Sequence, residues 1–165
     1  MNTKFILHGG FNKDKADEDN HVFYSEILKD TPDRLKILLV PFAKDADRIV
    51  PATEKISKEF RNSSPDKNLQ IDIATESDFL YQLENTDVIY FHGGRTLKLL
   101  ESLRKFPQLG ELLEGKIVAG ESAGANIFAK FCYSPNADVV TEGLGILPIK
   151  IIPHYIEKYE DKLNN

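Results

Sequence analysis

The sequence has little with which to cross-link itself, bind nucleic acid or enter a membrane. One cysteine, Cys132, leaves no partner for an intramolecular disulfide, and a reducing compartment fits. Basic residues do not predominate: 21 Lys and Arg stand against 26 Asp and Glu, for a net charge of −5 at pH 7. Neutralising a phosphate backbone takes clustered cations, so nucleic acid is not an expected partner. No apolar run approaches the roughly 20 residues of a membrane span. The apolar part of the opening "MNTKFILHGG" is too short for a signal peptide. These absences lead to the expectation of a soluble cytoplasmic protein. Neither a Gly-x-Gly-x-x-Gly nor a P-loop pattern occurs, which disfavours a nucleotide or flavin binder. No histidines and carboxylates cluster at ligand spacing, so neither a metal nor a cofactor is expected.

What is present is a rhythm. Short apolar runs alternate with longer amphipathic segments along 165 residues, a length that suits a single domain spanning 1–165. "KFILHGG" reads as a strand ending in a glycine pair, and "HVFYSEILKD" as a helix whose apolar positions begin at Val22, with His21 read as part of a charged surface loop. "LKILLVPFA" is a continuous β-prone run, as expected of a strand buried on both faces. "DADRIVPATEKISKEFRN" reads as a helix in which Pro51 must sit in the first turn or break it. "LQIDIA", "DVIYFHGG" and "KIVAG" read as further strands, each followed by a helix, the last running from Ser122 to about Phe131. After Cys132 the rhythm gives way to a loop, one or two short strands and a terminal helix from Ile156 to Leu163. Strand-helix alternation predicts an α/β fold, a mostly parallel central sheet covered by helices on both faces.

In such a sheet, function gathers beyond the carboxyl ends of the strands. Three glycine-rich corners belong there: Gly9-Gly10, Gly93-Gly94 and Gly120-Glu121-Ser122-Ala123-Gly124. The last has the Gly-x-Ser-x-Gly pattern in its strand-turn-helix setting, which points to a serine nucleophile on a strained elbow. The competing reading is an ordinary helix N-cap serine. A nucleophilic serine needs a base. His154, delivered by the apolar run "IKIIP", is preferred over His92, because the order Ser, acid, His is a known arrangement. Asp138 and Glu142 are both candidates for the acid between them. The N–H of Ala123 and the open amides of Gly93-Gly94 are candidate oxyanion donors.

"GESAGAN" (120–126), "FHGGRTLKLLESL" (91–103) and "GLGILPIKIIPHY" (143–155), in that order, resemble the serine peptidases of the dipeptidase E and cyanophycinase family. The resemblance implies a three-layer α/β/α sandwich similar to class I glutamine amidotransferases and flavodoxin-like folds, with serine in place of the elbow cysteine. It implies a serine hydrolase acting on short peptides with an N-terminal Asp, through an acyl-enzyme. Carried over by motif, Ser122 is the nucleophile, His154 the base and Asp138 the acid, with Gly94 and Ala123 as the oxyanion hole. Gly93, Arg95, Glu121 and Asn126 lie within the matched motifs and are expected to face the substrate. Only eleven residues follow His154, where the family continues further. That suggests a shortened working enzyme with an altered pocket, an enzyme completed by a partner subunit, or a member that binds a small acidic ligand or a protein partner without cutting it. A homodimer that covers the exposed sheet edge is a further expectation.

Overall fold

The computed structural model describes residues 2–11 and 18–163. Five strands form one parallel sheet: β1 (Lys4–His8), β2 (Arg34–Val40), β3 (Asn68–Ile73), β4 (Val88–Phe91) and β5 (Ile117–Glu121), in the order β1-β5-β4-β2-β3. Side chains on a strand alternate between faces, and this explains the unbroken apolar run of β2. Ile37 and Leu39 pack with Phe23, Tyr24, Ile27 and Leu28 of α1 (Glu18–Leu28) and with Ile56 and Phe60 of α2 (Ala46–Ser63). Leu38 and Val40 face the other way. They join Phe79 and Leu83 of α3 (Phe79–Glu84), Leu99 and Leu103 of α4 (Thr96–Leu103), and Leu109 of α5 (Leu109–Leu112). The result is an α/β/α sandwich with a core on each side of the sheet. No helix among the described residues is long and apolar enough to cross a membrane.

Three local expectations are corrected. His21 lies within α1 and pairs with Ser63 across to α2, so the helix begins earlier than the charged segment suggests. Pro51 is inside α2, beyond its first turn, and the helix continues through it. A proline there removes one backbone donor but need not end a helix held by packing, and Thr53, Ile56 and Phe60 bury its inner face. The third correction follows Ser122. The helix there, α6 (Ala123–Asn126), is one turn long, and the chain then becomes a strand, β6 (Ala129–Ser134). β6 pairs antiparallel with β7 (Val139–Glu142) and parallel with β8 (Leu147–Ile151), making a second, three-stranded sheet in which short strands after Cys132 were expected but β6 was not. The terminal segment Glu157–Leu163 is a 3-10 helix.

Strand order sets the site. β5 lies between β1 and β4, with His8 opposite Glu121 and Phe91 opposite Gly120. The glycine-rich ends of β1 and β4 therefore flank the residue that follows β5, which is Ser122.

Candidate active site

Ser122 has φ 50° and ψ −107°, a backbone conformation rarely taken by a residue with a side chain. Its N–H donates to the His8 carbonyl at 2.9 Å, and its own carbonyl accepts from the Ala125 and Asn126 amides. The side chain makes no capping hydrogen bond, so the N-cap reading does not describe it. Both flanking glycines are needed by close backbone approach. A Cβ on Gly120 would lie 2.3 Å from the Gly124 carbonyl oxygen, and one on Gly124 would lie 2.0 Å from that of Phe91.

His154 arrives from β8 through buried Pro153 and is the second residue of the site at positive φ, 50°. Its N–H donates to the Gly9 carbonyl at 2.7 Å. Its Nε2 lies 3.0 Å from the Ser122 Oγ. The ring rests against Gly10, at φ +109°, where a Cβ would lie only 2.1 Å from the histidine Cε1. The end of β1 thus holds both partners: the His8 carbonyl takes the serine amide, and the Gly9 carbonyl takes the histidine amide. Sequence reasoning placed Gly9-Gly10 at the crevice but gave the pair no role. A contact between residues so far apart in the chain has no local signal beyond the glycine pair itself.

The candidate acids are placed elsewhere. The Asp138 carboxylate accepts from the Tyr133 hydroxyl at 2.6 Å and from Lys162 Nζ at 2.8 Å, and its side chain is 72% exposed. The Lys162 ammonium, then the Tyr133 hydroxyl, hold its pKa below the usual aspartate value. The Glu142 carbonyl accepts from Arg104, and its segment lies on β7 of the second sheet. Among the described residues no carboxylate hydrogen-bonds the His154 ring. The structure joins the serine to the histidine and does not join Asp138 to either.

A cavity of about 740 Å3 opens beside the pair, lined by Gly93, Gly94, Glu121, Ser122 and His154. Lys44, Arg48 and Lys55 lie along its wall, as do Asp47 and Glu59. The Gly94 and Ala123 amides donate to no acceptor among the described residues, so both N–H groups are open. Gly94 (φ +152°) passes so close to Ala43 that a Cβ would lie 2.5 Å from its carbonyl oxygen. Arg95 and Asn126 depart from expectation. Arg95 pairs with Asp45 and lines a neighbouring depression with Lys98 and Ala137 rather than this cavity. Asn126 is fully buried, donating to Thr96 Oγ1 and the Tyr133 carbonyl, because the single turn of α6 points it inward.

His92 also lines the cavity but is 1% exposed, and neither ring nitrogen has a hydrogen-bond partner among the described residues. Burial, helped by the nearby Lys44 charge, lowers its pKa from 6.5 to about 3. It therefore stays neutral where a general base must accept a proton. The unfolded chain takes up that proton below about pH 6.5. Stability must then fall as pH drops from 6.5 towards 3, by up to about 1.4 kcal/mol per pH unit. Urea unfolding of wild type and His92→Leu at pH 6.5 and pH 5 isolates this effect. The wild type should lose about 2 kcal/mol relative to the variant over that interval. Parallel pH curves would show the ring to be solvated or partnered.

Comparison with known proteins follows the same lines. A family model for peptidase family S51 matches residues 5–165. An uncharacterized peptidase of Listeria monocytogenes is 33% identical over 101 residues, covering 52% of this chain and 49% of that protein. The matched stretch thus spans about half the length of that curated relative. Among solved structures, a candidate peptidase E protein from Listeria monocytogenes superposes with a TM-score of 0.68 at 18% identity, over 98% of this chain and 84% of that one. A peptidase from an acI-B1 actinobacterium gives 0.63 at 21% identity, over 96% and 70%. At these identities the two structures speak for the fold.

Proposed function

Because the chain belongs to peptidase family S51, we propose that it is a serine hydrolase that cleaves short peptides after an N-terminal aspartate. The observation that carries this reading is the 3.0 Å contact between His154 Nε2 and Ser122 Oγ, made by two residues each held at positive φ. That distance is within the reach a general base requires.

In this mechanism His154 takes the Ser122 hydroxyl proton as Oγ attacks the carbonyl carbon of the aspartyl peptide bond. The oxygen that becomes negative is received by the Gly94 and Ala123 N–H groups. His154 then passes the proton to the leaving amine, the C–N bond breaks, and an ester to Ser122 remains. Water, deprotonated by His154, attacks that ester and releases the aspartate, restoring the serine. Lys44, half-buried on the cavity wall, supplies positive charge suited to a substrate carboxylate, and burial lowers its pKa from the usual lysine value. Asp138 is given no part, since it is engaged with Tyr133 and Lys162.

Hydrolysis of aspartyl p-nitroanilide and of Asp-containing dipeptides tests the reading. Ser122→Ala should lower kcat/KM by a thousandfold or more, roughly the scale of nucleophile removal in other serine hydrolases. A wild type without turnover on any aspartyl peptide would remove the substrate assignment. A second reading, a family member that binds a small acidic ligand without cutting it, is favoured by the absence of a carboxylate on His154 among the described residues. It predicts binding of free aspartate or an aspartyl dipeptide, with no turnover.

A further inference from the structure

Immediately before the nucleophile is a buried acid, Glu121, for which the mechanism above has no use. It is the last residue of β5, 9% exposed, in the cavity wall. Its Oε1 accepts the Gly93 N–H at 3.2 Å. Gly93 lacks a side chain where one would meet the Glu121 Cγ and Oε1 at 3.3 Å, so the Glu121 side chain packs close against the glycine. On its other side the carboxyl meets the Tyr90 hydroxyl, itself 3.3 Å from the Tyr24 hydroxyl of α1. A chain of polar groups therefore runs from α1, through β4, to the strand end that carries Gly93 and Gly94.

Placing a carboxyl inside a protein is unfavourable unless its hydrogen bonds are met, and an apolar residue would fill the space more cheaply. Here one bond goes to the amide next to the proposed oxyanion donor, and the Tyr90 hydroxyl lies beside the carboxyl. The rest of that strand end is pinned from the opposite side: the His92 amide donates to the Val40 carbonyl and the Arg95 amide to that of Ala43. Gly93 and Gly94 lie between those anchors, and both are glycines, with the least intrinsic resistance to rotation. The only side-chain hydrogen bond holding the Gly93 amide among the described residues is that of Glu121.

We propose that Glu121 is a positioning residue: by fixing the Gly93 amide it aims the neighbouring Gly94 N–H at the oxygen of the carbonyl under attack by Ser122. The inference rests on the hydrolase reading for its catalytic consequence, though the positioning itself can be observed without turnover. Burial raises the Glu121 pKa above the usual glutamate value, which favours the neutral acid. Glutamine reproduces that form, offering one oxygen to Gly93 and an N–H pair to Tyr90.

The test uses the full chain with three substitutions, Glu121→Leu, Glu121→Ala and Glu121→Gln, read two ways. On aspartyl p-nitroanilide, leucine should lower kcat by about 100-fold, the scale of losing an oxyanion donor, with KM changed less than about twofold. Glutamine should recover most of that loss. In amide hydrogen exchange, Gly93, whose N–H is bound to Glu121, should exchange about tenfold or more faster in the leucine variant and near the wild-type rate in the glutamine variant. Alanine should follow leucine in both readouts, which keeps the test in hand if leucine impairs folding. Leucine and alanine variants with wild-type kcat, or with unchanged Gly93 exchange, would overturn the proposal. If the wild type itself turns over no substrate, the hydrolase reading fails separately, and the exchange rates still decide whether Glu121 holds the strand end.

Discussion

Replacing Gly10 with alanine will abolish as much hydrolysis as removing the His154 ring itself, roughly a thousandfold in kcat/KM. The reason is geometric. An alanine Cβ would sit 2.1 Å from the His154 Cε1 and 2.4 Å from its Nε2, the atom that faces Ser122. The histidine backbone cannot follow the ring away, because its N–H is bound to the Gly9 carbonyl one residue earlier. Rotation about the side chain is the cheaper relief, and it takes Nε2 off the serine oxygen. The φ of +109° at Gly10 adds strain for any L-residue. The substitution lies at a strand end beside an open cavity, so the thermal midpoint should fall only a few degrees. Parallel assays of Gly10→Ala and His154→Ala, with melting curves, check this. An alanine variant within tenfold of wild type would mean that the glycine does not hold the ring.

The second large effect is on stability. Gly124→Ala should cost about 4 kcal/mol or more, a large share of the margin by which such a domain is folded. Its Cβ would meet the Phe91 carbonyl oxygen at 2.0 Å and the carbonyl carbon at 2.6 Å, both backbone atoms of β4 near the middle of the sheet. No side-chain rotation relieves a clash with backbone. Either α6 lifts away from β4 or the strand is displaced, and each opens the core around Phe91 and Phe128. Gly110→Ala, in α5 with nothing within 4 Å of its added Cβ, is the matched control and should be neutral or slightly stabilising. Urea midpoints of the two variants decide the matter. If Gly124→Ala unfolds at the wild-type midpoint, the close approach is wrong.

These two glycines also show where the sequence could and could not be read. Gly124 belongs to a five-residue pattern whose physical demand is local: a strand, a corner without room for side chains, a helix start. The same is true of β2, whose unbroken apolar run follows from burial on both faces. Ser122 and His154 could be named from such patterns, and the structure brings them together. The dependence of His154 on Gly10 could not, since a contact across the chain leaves no mark on the residues between. The one-turn length of α6 was hidden for a similar reason. Ile127, Phe128 and Ala129 are compatible with a helix, but the second sheet gives β6 two hydrogen-bonded neighbours, β7 and β8, that arrive later in the chain. Asp138 shows the limit of a motif interval. It lies at the expected distance along the chain, yet a turn at φ 47° sends its carboxylate to Tyr133 and Lys162. Asn126 and Arg95 stand beside the motif residues but face the interior and a neighbouring surface, directions that adjacency alone does not give.

Whether Ser122 is a nucleophile activated by His154 is decided most directly by labelling with a fluorophosphonate probe, read by intact mass and peptide mapping. One adduct should form on wild type, map to Ser122, and be lost in both Ser122→Ala and His154→Ala. A folded wild type that takes up no probe, or an adduct that persists at full rate in His154→Ala, would contradict the Ser-His pair as a catalytic unit.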